Sequence, residues 1–307
     1  MKRVLMIRLS ALGDFVLSFR AFAAIRAHHA DAEITLLTTR PYAVLGAAAP
    51  WFDRVVVDAR PGFWDLPGLL RLRRDLSGFG MTYDLQTSGR SSWYFHLAGR
   101  PAWSGIASGC SHPQRGAARE RMHTLERQED QLRLAGVSVF PTPDLAFLTD
   151  RPVPPLPALP PLPARFAVLV PGASAHRGVK RWPAAKYGAL GTMLLARGLV
   201  PVIVGGRDEM AAAAEICAVC PQAVDLTGQT DVLDVFAIAA RAAFVVGNDT
   251  GPTHMAAAAG ARVIALFSGE SNPAMNAPRG ADGSWAVVLR EKALADMSVQ
   301  RVAAALP

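Results

Sequence analysis

The stretch VVGNDTGPTHMAAA at residues 245–258 decides the fold. Its first residues are apolar and β-branched, which is typical of a strand covered on both faces of a sheet. Small and polar residues follow, and an Ala-rich helix is predicted to begin near Pro252, a residue that suits the first helical turn. We expect Thr250 or Asp249 to cap this helix through a side-chain oxygen. A strand that leads directly into a helix indicates an α/β unit.

Two interpretations of this turn are open. Helix capping alone accounts for Thr250, Gly251 and Pro252, but it gives no reason for Asp249 and His254 beside them. The free N–H groups of a helix N-terminus bind phosphate, and in open α/β sheets ligands bind at the carboxyl edge. We therefore favour a binding site over a turn without a ligand.

A similar unit opens the chain. An apolar run at residues 4–7 predicts a strand, and a helix is predicted over residues 15–28, where apolar residues recur at helical spacing: Phe15, Phe19, Phe22 and Ile25. Asp14 then lies in the first helical turn at the end of the strand. It is either an acid that stabilises the helix dipole or a carboxylate that contacts a ligand, and its position is equally consistent with both.

A third unit begins with the apolar run at residues 166–170. The loop after it does not match the G-x-x-x-x-G-K-[ST] pattern of ATPases. It still offers Gly172, the Ser174 hydroxyl and the Lys180 ammonium at the carboxyl edge of a sheet. We therefore favour a role in binding a diphosphate over the interpretation of Lys180 as a surface residue without a function.

Glu209 follows the next predicted strand, at residues 200–204. An acid in this position often binds ribose hydroxyls, although it is equally typical of the start of a helix.

The connector between the two halves is rich in proline. Seven prolines fall between residues 152 and 163, and proline both fixes φ and lacks a donor, so this segment is predicted to be extended and semi-rigid. We expect a first domain at 1–150, a linker at 151–164 and a second domain at 165–307. For the predicted terminal helix at 298–305, packing back on the first domain is one option.

Composition narrows the function. With 51% hydrophobic and 19% charged residues the chain is globular. The formal charge is +7 but no basic tail or Lys-rich run is present, so nucleic acid is disfavoured. An anionic substrate or a membrane surface fits this charge better. Residues 99–121 are predicted to form an irregular, basic loop that either grips such a substrate or is simply solvated.

The cysteines and the N-terminus indicate a cytoplasmic protein. Three cysteines, an odd number, favour a reducing compartment, and the isolated C-x-x-C at Cys217 and Cys220 is predicted to pack in the core. The apolar run after Lys2 and Arg3 is too short for a signal peptide, and we find no apolar window long enough to span a membrane.

Five motifs occur in one order along the chain: Ser10-x-x-Gly13-Asp14, Pro171-Gly172-Ala173, Lys180-Arg181-Trp182-Pro183, Gly205-Gly206 and Asp249-Thr250-Gly251-Pro252-x-His254. Together they resemble glycosyltransferase family 9, the ADP-heptose:lipopolysaccharide heptosyltransferases. The resemblance implies an α/β protein of the GT-B fold, with two Rossmann-like domains whose parallel sheets face across a cleft. It also implies an inverting transfer of heptose from ADP-heptose to the inner core of lipopolysaccharide.

The resemblance assigns roles residue by residue. Asp14 matches the general base, and Lys180 matches the cation that neutralises the departing ADP. The other implied donor contacts are Gly172, Ser174, Glu209, Asp249, Thr250, Gly251 and His254. For the anionic acceptor, which bears carboxylate and phosphate groups, we expect contacts from Gly13, Arg60, Arg115, Arg119 and Arg121.

No cofactor is expected, and no metal is expected because the chain lacks a D-x-D motif. The expected location is cytoplasmic, and peripheral contact with the cytoplasmic face of the inner membrane is compatible with it. Two alternatives stay open at this point. One is a GT-B enzyme that uses another nucleotide-sugar, such as a UDP-sugar; the other is a non-catalytic nucleotide-sugar-binding protein, which has no need of Asp14.

Overall fold

Parallel strands form one six-stranded sheet in each of two units of the chain, Met1–Pro143 and Asp144–Pro307. The computed structural model describes residues 2–152, 162–173 and 180–307. None of the helices in these ranges has the length and apolar character needed to span a bilayer.

The first unit alternates strands and helices. Its strands are β1 (Arg3–Ile7), β2 (Glu33–Thr38), β3 (Arg54–Val57), β4 (Met81–Asp84), β5 (Trp103–Gly105) and β6 (His112–Pro113). Its helices are α1 (Leu12–Leu17), α2 (Phe19–His28), α3 (Arg40–Ala48), α4 (Leu66–Asp75), α5 (Gly89–Leu97) and α6 (Thr124–Leu134).

The second unit repeats the plan. Its strands are β7 (Phe166–Val170), β8 (Val200–Ile203), β9 (Val224–Asp225), β10 (Val245–Asn248), β11 (Val263–Phe267) and β12 (Val287–Arg290). Its helices are α7 (Ala146–Thr149), α8 (Ala184–Ala196), α9 (Met210–Val219), α10 (Val232–Arg241), α11 (Gly251–Ala258), α12 (Pro273–Asn276) and α13 (Val299–Ala303).

Strand order makes both sheets doubly wound. The orders are β3-β2-β1-β4-β5-β6 and β12-β11-β10-β7-β8-β9, so each unit places its first and fourth strands side by side at the centre. The chain winds in opposite directions from this point, and a crevice for ligands therefore opens at the carboxyl ends of these two strands. The strands are β1 and β4 in the first unit and β7 and β10 in the second. The predicted Rossmann-like, parallel architecture is confirmed.

The junction between β10 and α11 depends on a glycine. A Cβ atom on Gly247 would lie 2.4 Å from Thr253 Oγ1 and 2.8 Å from Val170 Cβ. Without that atom the helix can fold back closely enough for Thr253 Oγ1 to donate to the carbonyl of Asn248 at 2.7 Å. The predicted side-chain cap is wrong, because Thr250 occupies the N-cap position without a side-chain hydrogen bond.

One predicted helix is two. The apolar face of residues 15–28 is buried as expected, with Phe15 and Phe22 fully inaccessible to solvent. The helix is interrupted at Ser18, whose hydroxyl donates to the carbonyl of Asp14 at 2.7 Å and accepts from the Gln128 amide at 2.8 Å. A serine that bonds four residues back bends a helix, and here it separates α1 from α2.

The segment 99–121 is more regular than predicted. It contributes β5 and β6, which extend the first sheet by pairing Thr82 with Trp103 and Ser104 with His112. Strands of two and three residues are too short to show a period of two in the sequence, so the expectation of an irregular loop was wrong.

The two units divide between Pro143 and Asp144, a few residues before the predicted linker. Helix α7 packs against α10, and the Arg241 guanidinium donates to the carbonyls of Thr149 at 3.4 Å and Arg151 at 3.0 Å. Most of the predicted linker lies outside the described residues. The terminal helix α13 packs on α8 through Val302.

We expect Gly247→Ala to lower the free energy of unfolding by about 1–3 kcal/mol, because the added methyl group forces α11 away from β10. The measurement is urea unfolding followed by circular dichroism. Gly89→Ala is the matched control, since a Cβ on Gly89 meets no atom within 4 Å and should change stability by less than about 0.5 kcal/mol. Equal midpoints for the two variants would contradict this account.

Candidate active site

A buried amide organises the carboxyl ends of β7 and β10. The Asn248 side chain is inaccessible to solvent, and its Oδ1 accepts from the Trp182 backbone N–H and the Tyr187 hydroxyl, each at 3.1 Å. Its Nδ2 donates to the carbonyls of Pro171 at 2.8 Å and Gly172 at 3.3 Å. One residue thus fixes both the loop after β7 and the segment that leads into α8.

A group of polar side chains surrounds the next residue, Asp249. Lys180 Nζ lies 2.9 Å from Asp249 Oδ2, and both side chains are about nine-tenths buried. The Ser271 hydroxyl donates to the same oxygen at 2.6 Å. His254 Nε2 lies 3.9 Å from Oδ1. The structure therefore brings together three of the predicted donor residues and adds Ser271.

Asp249 is held in its charged form. Burial acts to raise the pKa of its carboxyl, but hydrogen bonds from His254, Ser271 and Lys180 outweigh burial and keep the pKa well below its ordinary value. The Lys180 ammonium has three donors, of which the described residues accept only one. Lys180 is therefore a cation that Asp249 holds in a fixed position.

The N-terminus of α11 adds to this positive character. The Gly251 N–H has no partner within the helix, whereas Pro252 has no N–H and the Thr253 N–H donates to the Thr250 carbonyl at 3.1 Å. The helix dipole is positive at this end. Thr250 and Gly251 form the turn and are half-buried. In the part of the chain that the structure describes, the buried Nδ1 of His254 has no hydrogen-bond partner.

Glu209 lies against the loop after β7. It ends a 3-10 turn, Arg207–Glu209, where its Oε2 accepts from the Gly206 N–H at 2.9 Å. A Cβ on Gly172 would lie 3.0 Å from Glu209 Cγ, so the glycine permits this approach. Glu209 thus caps a helical turn and also lies beside Gly172. The predicted Ser174 lies outside the described residues.

In the first unit, Arg8 holds the Asp14 carboxylate. Arg8 is buried just after β1, and its Nη2 lies 3.1 Å from Asp14 Oδ2. The second terminal nitrogen, Nη1, donates to the carbonyl of Leu85. The Ala11 N–H also points to Asp14 Oδ2, at 3.4 Å. Oδ1 receives no hydrogen bond from a described residue, and the Asp14 side chain is 38% exposed, so this oxygen can accept from a ligand.

A second side-chain amide fixes the loop that carries Asp14. Gln86 follows β4, and its Oε1 accepts from the backbone N–H groups of Leu9 at 2.8 Å and Ser10 at 3.0 Å. Asp84 Oδ1 in turn accepts from the N–H groups of Gln86 at 3.1 Å and Thr87 at 2.9 Å. The ends of β1 and β4 are therefore tied together.

The predicted acceptor residues differ in what surrounds them. Gly13 lies beside Asp14 in α1 and is half-buried, and Arg121 is exposed. Arg60 is exposed at the rim of a pocket of about 470 Å³ whose lining also includes Ser10, Thr39, Arg40, Tyr42 and Asp58. The structure thus brings Arg60 to a pocket that reaches the loop of Asp14.

The guanidinium groups of Arg119 and Arg115 bind other groups of the first unit. Arg119 is buried and its guanidinium donates to Gln114 at 3.1 Å, to Glu120 at 3.1 Å and to Thr87 Oγ1 at 2.8 Å. The Arg115 guanidinium donates to the carbonyls of Ile106 at 3.2 Å and Ala107 at 2.7 Å. Both guanidinium groups are therefore engaged by the protein itself, and their contact with an acceptor stays a prediction.

Four contributors to these sites were missed in the sequence: Arg8, Gln86, Asn248 and Ser271. Three of them come at or directly after the end of a strand, which is a usable signal. Ser271 follows β11 by four residues, and only the strand order brings it to Asp249. Within residues 2–152, 162–173 and 180–307, no cluster of three or more His, Cys, Asp or Glu side chains could hold a metal ion.

Two doubly wound units, each with a polar site at its switch point, have the architecture of the GT-B fold class. The sequence model of glycosyltransferase family 9 (heptosyltransferase) matches residues 69–302, and the chain belongs to this family. Lipooligosaccharide heptosyltransferase 2 of Haemophilus influenzae is 32% identical over 104 residues, which is 32% of this chain but only 30% of that protein.

Solved structures agree on the fold. A glycosyltransferase family 9 structure from Veillonella parvula superposes with a TM-score of 0.81 at 18% identity, covering 99% of this chain and 95% of that one. The E. coli heptosyltransferase WaaC with ADP gives a TM-score of 0.76 at 18% identity, covering 98% of each chain.

The raised pKa of Asp84 makes the stability of the first unit depend on pH. Burial raises the pKa of this carboxyl to about 6, against the hydrogen bonds from Thr87, Ser91 and Gln86 that lower it. The folded state therefore binds the proton more tightly than the unfolded state, whose pKa is about 3.9. Ionisation of Asp84 destabilises the first unit progressively as the pH rises from about 4 to about 6.

We expect Asp84→Asn, which keeps an Oδ1 acceptor for Gln86 and Thr87, to flatten this slope and to raise stability at pH 7 by about 1–3 kcal/mol. Urea unfolding at a series of pH values measures both effects. The exposed Asp31→Asn serves as the control and should retain the wild-type slope. An unchanged slope in Asp84→Asn would contradict the assignment.

Proposed function

We propose that the chain is an inverting heptosyltransferase that moves heptose from ADP-heptose to the anionic inner core of lipopolysaccharide. The observation that carries the proposal is the buried pair of Lys180 and Asp249 at the N-terminus of α11. A cation fixed beside a helix N-terminus, at the switch point of a doubly wound sheet, is suited to a diphosphate.

The second unit supplies the donor site in this proposal. Lys180, with Gly251 and Thr250 at the helix N-terminus, binds the diphosphate of ADP-heptose, and Gly172 lines the same edge. Ser174, outside the described residues, is proposed from the sequence as a further donor contact. Glu209 accepts hydrogen bonds from the ribose hydroxyls, and Asp249 and His254 contact the heptose. Family membership supports ADP as the nucleotide, since the similar E. coli enzyme WaaC is known with ADP.

The first unit supplies the base. Asp14 Oδ1 accepts the proton of an acceptor hydroxyl while that hydroxyl oxygen forms a bond to the anomeric carbon of heptose. The bond between the anomeric carbon and the β-phosphate oxygen breaks, and its electron pair leaves with ADP. Lys180 and the α11 dipole neutralise the charge that develops on the diphosphate. A single displacement of this kind inverts the anomeric configuration.

The acceptor is anionic and lipid-borne in this proposal. Arg60, at the pocket beside Ser10, binds its carboxylate or phosphate groups. The further contacts proposed for the acceptor are Gly13, Arg115, Arg119 and Arg121. The protein then works at the cytoplasmic face of the inner membrane, with no nucleic acid partner and no metal cofactor, because Lys180 carries the charge that a metal carries elsewhere.

The proposal predicts that Asp14→Asn lowers kcat for heptose transfer by about 10²- to 10⁴-fold, because the amide cannot take the proton. The KM for ADP-heptose should stay the same, since the donor contacts lie in the second unit. The measurement is a transfer assay with purified inner-core acceptor, combined with NMR assignment of the new anomeric centre.

Asp31→Asn, an equal change on an exposed turn, is the control and should transfer at the wild-type rate. Full activity of Asp14→Asn would remove this residue as the base. A product that retains the anomeric configuration would overturn the single displacement.

A further inference from the structure

An exposed apolar surface follows β3 in the first unit. Trp64 is 97% exposed, Phe63 is 76% exposed, and Leu66 and Leu70 are each 67% exposed. We call residues 63–74 the Trp64 surface. Large side chains that cluster at this exposure are unusual on a soluble protein and mark a surface that binds a partner.

The structure holds these side chains outward. In α4, Leu72 is buried in the core, while Leu66 and Leu70 lie one helical turn apart and share the outer face. Asp65 caps the helix by accepting from the Gly68 N–H at 2.9 Å. Phe63 packs edge-on against Trp93, with ring centroids 5.7 Å apart. The chain on both sides of Trp64 is thus anchored.

Positive charge borders the apolar side chains. Arg71, Arg73 and Arg74 are exposed on the last turns of α4. Asp65 caps the helix, and Asp75, directly after this segment, lies 3.9 Å from Arg74 Nε. Of these three arginines, Arg71 and Arg73 are the ones that no carboxylate of the described residues contacts. An outer face of leucines that ends in arginines, beside an exposed tryptophan, combines the features of segments that lie in the interface of an anionic bilayer.

We propose that the Trp64 surface binds anionic phospholipid bilayers, with Phe63, Trp64, Leu66 and Leu70 inserted at the level of the headgroups and the arginines on the lipid phosphates. Tryptophan bordered by arginine suits a boundary that is apolar on one side and anionic on the other.

The position of the surface gives it a use. Arg60, at the rim of the acceptor pocket, comes three residues before Phe63, and the carbonyl of Pro61 between them accepts from the Arg90 guanidinium at 3.3 Å. A protein docked through the Trp64 surface would hold this pocket near the headgroups, where a lipid-borne acceptor is presented. This last step rests on the proposed function, whereas lipid binding itself does not.

The test is co-sedimentation of the full chain, without nucleotide, with vesicles of phosphatidylcholine that contain phosphatidylglycerol or lack it. We expect binding to the anionic vesicles only, with a blue shift of tryptophan fluorescence. The double variant Trp64→Ser/Leu70→Ser should bind about tenfold more weakly and lose most of that shift, and Arg73→Glu/Arg74→Glu should also bind about tenfold more weakly.

Val139→Ser is the matched control, because Val139 is 64% exposed in the same unit but lies outside the Trp64 surface; it should bind like the wild type. Circular dichroism checks that every variant is folded. Equal binding by the wild type and Trp64→Ser/Leu70→Ser would overturn the proposal, as would a wild type that ignores vesicles and instead forms a dimer that Trp64→Ser disrupts.

A transfer assay separates this inference from the proposed function. Loss of transfer to a membrane-embedded acceptor, with transfer to a detergent-free soluble core fragment retained in Trp64→Ser/Leu70→Ser, supports both. Vesicle binding by a protein that transfers no heptose overturns the proposed function and leaves the Trp64 surface as a lipid-binding site.

Discussion

The buried Asn248 amide is the interaction on which the polar site of the second unit depends. A side chain without access to water must satisfy its polar atoms within the protein, and leaving them unpaired costs about 1–3 kcal/mol each. Asn248 does so with the carbonyls of Pro171 and Gly172 and with donors from Trp182 and Tyr187. The bond to the Trp182 N–H fixes the backbone two residues after Lys180. The ion pair between Lys180 and Asp249 therefore depends on the position that the Asn248 amide gives to this segment.

The first unit uses the same device at the equivalent place. Gln86 follows the fourth strand of its sheet, as Asn248 ends the fourth strand of the second. Each side-chain amide bonds to two backbone groups of the loop after the first strand: Gln86 to Leu9 and Ser10, Asn248 to Pro171 and Gly172. Doubly wound sheets bring these two loops side by side at the switch point. A side-chain amide at this edge fixes the start of the loop after the first strand and leaves the hydrophobic core of the unit uninterrupted.

The two carboxylates at these edges have different surroundings, and the difference suits different work. Asp249 is buried among Lys180, Ser271 and His254, which keep it ionised and fixed. Asp14 is partly exposed, with one oxygen on Arg8 and the other open to a ligand. A binding site needs the first arrangement, and a base that must receive a proton needs the second.

Much of this was readable in the sequence. The apolar runs predicted the core strands, and the turn at 249–254 predicted a junction between a strand and a helix. Asp14, Lys180 and Asp249 lie at the carboxyl edges of the sheets, as expected for residues that follow parallel strands. The capping of α11 was predicted wrongly because Asp249 binds Lys180 and Ser271, residues far away in the chain. β5 and β6 were missed because strands of two or three residues carry no period. Ser271 was missed because its role depends on strand order, which one sequence does not display.

The measurement that tests the central claim most directly is calorimetric titration of the chain with ADP and with UDP, on the wild type and on Lys180→Ala. The exposed Lys292→Ala serves as the matched control. If Lys180 belongs to a site for ADP, the chain binds ADP more tightly than UDP. Lys180→Ala then lowers the affinity for ADP by about tenfold or more, and Lys292→Ala leaves that affinity unchanged. Tighter binding of UDP, or ADP binding that does not depend on Lys180, would contradict the proposed donor site.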